Sequence, residues 1–315
     1  MNENDEKKPA ATTSSNQPGG NNQVNGTTVQ DGKISSAAEA EAKVNHNLGD
    51  AVLTLVILIV MVAVNAMANI LPINGIGTGA VSDLYPNLFV PAGLTFAIWG
   101  VIYLLLALFV VFQFLTPVSK EAAGRLKLVR TFFIISSLAN AAWIFMWHYG
   151  LLPLSLVLML VILISLIIVS SRLAGKPLPF RERLFVRLPF SVYFGWITVA
   201  TVANVTALLV DLGWEGFGLP ESSWTIVILI ITTLIALAVI SKNRDWAYGA
   251  VVVWAYCGIL IKHLDPVKGF GGQYTLVIIT VSVCLGFVAA TTLLALVGQR
   301  IKLMPYGTDA DKPAA

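Results

Sequence analysis

Large apolar side chains are gathered into eight long runs, separated by short segments rich in Gly, Pro and charge. The runs predict helices over Asp50–Leu71, Phe89–Leu115, Leu126–Tyr149, the Gly150–Pro153 turn to Leu173, Val186–Leu212, Trp224–Ile240, Asp245–Leu264 and Tyr274–Val297. Each is long enough to cross a hydrocarbon core of about 30 Å. Lipid offers no partner to an unpaired backbone amide, so such segments must be helices rather than strands of an open sheet. The short alternating segments of a membrane β-barrel are not seen. The fold class expected is an all-α polytopic membrane protein with about eight transmembrane helices.

Composition agrees with that pattern. Hydrophobic residues make up 57% of the 315 positions and charged residues 12%, against about 25% charged in soluble domains. A net charge of +3 argues for no nucleic-acid partner. The basic residues instead sit in alternate loops: Lys120, Arg125 and Lys127 after the second run, Arg172, Lys176, Arg181, Arg183 and Arg187 after the fourth, Lys242 and Arg244 after the sixth, and Arg300 and Lys302 after the eighth. Lys262 and Lys268 go the other way. By the positive-inside rule both termini are expected in the cytoplasm. Residues 1–48 hold almost no large apolar side chains, which predicts a disordered cytoplasmic tail, with Ala37–Lys43 able to form a turn or two of helix. Residues 301–315 are read as a cytoplasmic C-terminal tail. The first run is too long, and lies too far from the N-terminus, for a cleavable signal peptide. Cys257 and Cys284 lie inside apolar runs and read as packing residues, not a disulfide.

Candidate chemistry lies in the uncharged polar groups. No ionisable residue occupies the middle of a run, which argues against ion-coupled transport. His148, Asp211, Lys262 and His263 fall at the external ends, and Arg130 just inside the third run. Asn65, Asn140 and Asn204, on the first, third and fifth runs, each fall roughly 10–14 Å below the external end at 1.5 Å per residue, a shared layer of amides. Taken singly, such amides usually bond neighbouring helices. Aromatic residues extend the same faces: Ser136, Asn140, Trp143 and Trp147; Tyr193, Trp196, Ala200 and Asn204; Thr95, Trp99 and Tyr103. Interfacial belts explain Trp214, Trp224 and Trp246 but not Trp99 and Trp196, which fall near mid-depth. The glycines of Asn74–Gly79 and Lys268–Gly272 lack the spacing and context of a nucleotide loop and read as loops. No metal-ligand spacing and no nucleophile–base pair is evident, so an enzyme is the least supported class.

Trp196-Ile-Thr-Val-Ala200-Thr201-Val-Ala-Asn204, with Tyr193 before it, resembles the fifth-helix signature of the translocator protein family, the TspO/MBR or tryptophan-rich sensory proteins. Val192 stands where that family carries Pro. Asn140-Ala-Ala-Trp143 followed by Trp147 resembles its third-helix motif, and Pro91, Trp99 and Tyr103 resemble the start of its second helix. The resemblance spans about residues 50–213. It implies a five-helix bundle over 49–213, with three additional transmembrane helices over 214–300. It also implies a pocket for a tetrapyrrole such as protoporphyrin, or for a sterol, capped by the Gly75–Phe89 loop. The ligand-binding candidates are Trp99, Tyr103, Asn140, Trp143, Tyr193, Trp196, Ala200 and Asn204.

The leading expectation is a membrane-embedded binding or sensory protein for a flat apolar ligand, not an enzyme and requiring no cofactor. A facilitator of a small hydrophobic metabolite and a scaffold that recruits partners stand as alternatives. The partners expected are the lipid bilayer, here a bacterial plasma membrane, a hydrophobic small molecule and, as an open option, a second copy in a homodimer.

Overall fold

All eight runs form helices in the computed structural model, which describes residues 43–44, 48–71, 73–115 and 118–301. They are α1 (Leu48–Ile70), α2 (Ile98–Leu115), α3 (Lys120–His148), α4 (Leu152–Leu173), α5 (Leu188–Asp211), α6 (Glu221–Asn243), α7 (Trp246–Leu264) and α8 (Thr275–Ile301). Two short strands, β1 (Lys43–Val44) and β2 (Val118–Ser119), pair antiparallel with Lys43 opposite Ser119. Lys43 is therefore extended, whereas a turn of helix was expected to end there. The rest of that stretch, and most of both expected tails, lies outside the described residues.

α1 packs on α2 and α3, α3 on α4, α4 on α5, and α5 returns to α2, so five helices close into a ring. α7 lies against α5, and α8 packs on both α7 and α6. The α5 span is therefore shared by both groups, with 67% of its most apolar stretch buried, whereas the α8 span, on the periphery, has 22%. Association of helices in lipid depends on close packing, which favours small residues where backbones meet. Gly195 of α5 is such a point: a Cβ there would lie 2.8 Å from the Tyr248 carbonyl oxygen of α7. Gly258 of α7 lets Thr95 approach in the same way; a Cβ at 258 would lie 2.8 Å from the Thr95 methyl. Across α6 and α7 the Thr233 and Tyr256 hydroxyls bond at 2.9 Å.

Three helix starts differ from the sequence expectation. The second span begins at Gly93, as a 3-10 turn running into α2, and not at Phe89. Pro91 disfavours helical backbone at Val90, and Leu88, Phe89 and Val90 form a buried strap with a turn at Leu88 and Phe89. Their apolarity reflects burial outside any helix. α3 begins at Lys120, where the Ser119 hydroxyl caps it by accepting the Ala122 N–H at 3.2 Å. α5 is preceded by helix from Phe180, and Arg183–Arg187 widens to a π turn. Pro189 has no N–H to give the Phe185 carbonyl, and the ladder loosens just before it.

The early start of α3 places Arg130 more than two turns inside that helix and 7% exposed. It was expected only just inside the span. Its guanidinium donates to Gln113 Oε1 of α2 and, at 3.2 Å, to Asp50 Oδ2 of α1. Gln113 Nε2 donates in turn to Thr54 Oγ1 at 3.3 Å. Beside this network Arg125 pairs with buried Glu182 at 2.9 Å and with Glu121 at 2.7 Å. A buried cation needs such matching, because desolvation is costly unless the charge is paired and hydrogen-bonded.

Candidate functional site

At the opposite end of the ring the interior is aromatic. Trp99 of α2 is its hub: it stacks on Tyr103 one turn on, with ring centroids 5.6 Å apart, and meets Trp143 of α3 at 6.2 Å. Tyr193 and Trp196 of α5 meet it edge-on at 6.1 and 6.2 Å. Phe96 packs edge-on against Trp196, and Trp147 stacks on Trp143. Edge-to-face and offset arrangements of this kind suit the ring quadrupoles.

These rings surround a small cavity of about 40 Å³, lined by Ser82, Pro91, Phe96, Trp99, Trp143, Trp147, Trp196, Val199, Ala200, Ala203 and Asn204. Of the eight candidates, Trp99, Trp143, Trp196, Ala200 and Asn204 line it. Tyr103 and Tyr193 support the hub from behind. Asn140 is set back, accepting from Asn65 Nδ2 at 2.7 Å. The expected amide layer therefore divides: Asn65 and Asn140 bond each other, while Asn204 donates to Ser155 Oγ of α4 at 2.8 Å. Helical spacing from Trp196 reaches Val199, Ala200 and Ala203, a signal that could have added Val199 and Ala203 to the candidates. Ser82 has no such signal, because it comes from the segment between the first two spans, outside any membrane-length run.

The polar atoms here are poorly satisfied. Trp143 Nε1, Trp196 Nε1 and Asn204 Oδ1 are buried without a hydrogen-bond partner, whereas the Tyr193 hydroxyl and the Asn140 amide have each other as neighbours. Native proteins pair the great majority of buried polar groups, so each exception requires an explanation. Here three fall on the lining of one aromatic cavity.

The segment between α1 and α2 covers this end, carrying a short helix, Thr78–Asp83. His148, at the end of α3, fastens it: Nδ1 donates to the Ile73 carbonyl at 2.9 Å, and Nε2 meets the Thr78 hydroxyl at 3.0 Å. Trp147 Nε1 donates to the Thr78 carbonyl at 3.2 Å. The outer helices fasten it as well. Glu221 accepts the Leu88 N–H at 2.9 Å, His263 Nε2 donates to the Leu88 carbonyl at 2.9 Å, and Lys262 pairs with Asp83 at 3.4 Å. Farther along, the Ala92 N–H bonds the Gly258 carbonyl, and Trp254 Nε1 donates to the Thr95 carbonyl, both at 3.0 Å. Neither histidine was expected as a fastener, since nothing in the sequence says which loop meets it. Tyr85, on this cover, has its phenol pKa raised, by partial desolvation first and by the charge of Asp211 second.

A model of the TSPO-like protein family matches residues 51–294, well over half of the chain. The chain belongs to the TSPO-like protein family. The match continues beyond residue 213, through α6 and α7 and most of α8. Membership agrees with the eight membrane-length helices and with the motifs on α2, α3 and α5. No match is found among curated proteins or among solved structures.

Proposed function

We propose that this TSPO-like protein is a membrane-embedded binding protein for a flat apolar ligand, with a tetrapyrrole as the leading candidate. The ligand would sit among Trp99, Trp143 and Trp196, under the cover segment. The observation that carries this reading is the group of three buried, unpartnered polar atoms, on Trp143, Trp196 and Asn204, all on residues lining a single aromatic cavity. The indoles provide flat π surfaces, and the two indole N–H groups and the Asn204 carbonyl provide polar contacts that the protein itself leaves unmade. Nothing in the arrangement calls for catalysis.

Pockets for drug-sized ligands measure about 300–1,000 Å³, and the present cavity is about 40 Å³. Binding therefore requires the walls to part. Trp99 and Tyr103 are partly exposed whereas Trp143 and Trp196 are buried, so the Trp99 side is the wall proposed to move. With the basic loops in the cytoplasm, as the positive-inside rule favours, the site lies in the outer half of the bilayer.

Purified protein titrated with protoporphyrin tests the reading. Tryptophan fluorescence should be quenched saturably, and Trp196→Phe should weaken binding while leaving the thermal melt nearly unchanged. Quenching no stronger than for detergent micelles alone, together with an indifferent Trp196→Phe, rules out the tetrapyrrole.

A further inference from the structure

The opposite, basic end holds two adjoining cavities distant from the aromatic cluster. One, of about 790 Å³, is lined by five cations, Lys176, Arg183, Arg187, Lys242 and Arg244, and by no carboxylate. The other, of about 640 Å³, is a groove among α4, α5 and α6 whose walls include Leu163, Ile167, Phe194, Val202 and Ile235. The two share Gly175, Lys242 and Asn243, so the apolar groove opens directly into the cationic mouth.

Local structure builds the mouth. The π turn carries both Arg183 and Arg187. Arg187 donates to the Asn243 carbonyl at 2.7 Å, and Asn243 Nδ2 donates to Ser170 Oγ at 3.1 Å, which fixes the end of α6 beside the end of α4. Arg183 Nε is buried without a hydrogen-bond partner. Lys176, Arg183, Arg187 and Lys242 form no ion pair among the described residues, in contrast to Arg125 and Arg130 nearby. Asp245 shares a neighbouring cavity with Arg183 and Arg187, so the cations of the mouth outnumber the carboxylates beside it, an excess that an added anion would relieve.

We propose that this joint cavity binds an anionic phospholipid, with its phosphate among the five cations and an acyl chain in the groove. A soluble phosphate would satisfy the cations but would leave the apolar groove unexplained. The continuity of groove and mouth selects the lipid. Basic pockets between helices at a membrane face recognise such headgroups. The assignment stands apart from the aromatic site and does not depend on what binds there.

The test uses the full chain reconstituted into vesicles of equal parts phosphatidylcholine and phosphatidylglycerol, then released in mild detergent for native mass spectrometry. Phosphatidylglycerol should be the lipid retained. Lys242→Gln should lower its occupancy about fivefold, and adding Arg183→Gln about fivefold more. Ala238→Trp, which fills the groove and leaves every cation in place, should also displace it. Lys176→Gln and Val202→Phe take over where a variant fails to fold. Equal retention of the two lipids overturns the proposal, as does indifference to either the charge variant or the groove variant. Inorganic phosphate that binds the Ala238→Trp protein as well as wild type, with no lipid retained by either, assigns the mouth to a soluble anion and also overturns it.

Discussion

The two ends of the five-helix ring treat most of their buried polar groups differently. At the basic end, Arg130, Gln113, Thr54 and Asp50 form a connected network, and Arg125 is held between two glutamates, with only the Nε atoms of Arg125 and Arg183 left over. At the covered end, Trp143, Trp196 and Asn204 each leave a buried polar atom unmatched beside the cavity. Within one bundle and one solvent, the first arrangement stabilises the fold and the second is a standing cost. The contrast separates polar groups matched within the fold from those left open toward the cavity.

The largest effect should come from breaking the matched end. Gln113→Leu deprives the Arg130 guanidinium of an acceptor inside the bundle and should cost about 1–3 kcal/mol, seen as a lower unfolding midpoint in detergent. An unchanged midpoint would mean that the network contributes nothing and would erase the contrast. Next in size, Glu221→Ala removes the acceptor for the Leu88 N–H, a loss of about 0.5–1.5 kcal/mol. Hydrogen exchange at Leu88 should accelerate several-fold while the centre of α3 stays protected. Smaller still, Tyr193→Phe deletes a hydroxyl whose polar neighbour is the Asn140 amide. It should change the stability of the ligand-free protein by less than about 1 kcal/mol. A larger drop in the unfolding midpoint would show that the Tyr193–Asn140 contact belongs with the matched groups of the other end.

The smallest effect concerns a polar group outside both ends of the ring. Asp265, between α7 and α8, accepts the Val267 and Lys268 N–H groups at 2.8 and 3.0 Å, which hold its pKa below the usual carboxylate value. A depressed folded pKa stabilises above the unfolded value of 3.8 and is lost as pH falls through the folded one. The turn should therefore be indifferent to pH near neutrality. Only in more acidic solution should it loosen, as intrinsic-rate-corrected amide exchange at residues 267 and 268 would show.

Much of this was legible in the sequence, because membrane helices declare themselves by length and apolarity. The eight spans and the inward faces carrying Trp143 and Trp196 follow from periodicity alone. The strap at Leu88–Val90 did not, since a run of buried apolar residues reads the same in a buried turn as in a helix, and only Pro91 hinted at the difference. Asn204 lines the cavity, but periodicity cannot say which neighbour an amide chooses, and it chose Ser155. Arg130 looked like a residue of the span edge because the polar first turns of α3 resemble a loop. The closed ring, the collapsed volume among the indoles and the roles of His148 and His263 depend on which helices meet, information that no single segment carries.

Leu88 commits both of its main-chain groups to the outer helices, the N–H to Glu221 ahead of α6's interior and the carbonyl to His263 near the end of α7. Raising that one residue means releasing two levers together, and each belongs to a helix outside the ring. Any displacement of the cover at Leu88 would therefore pull on α6 and α7, which gives the chain a mechanical route from its cover to its periphery.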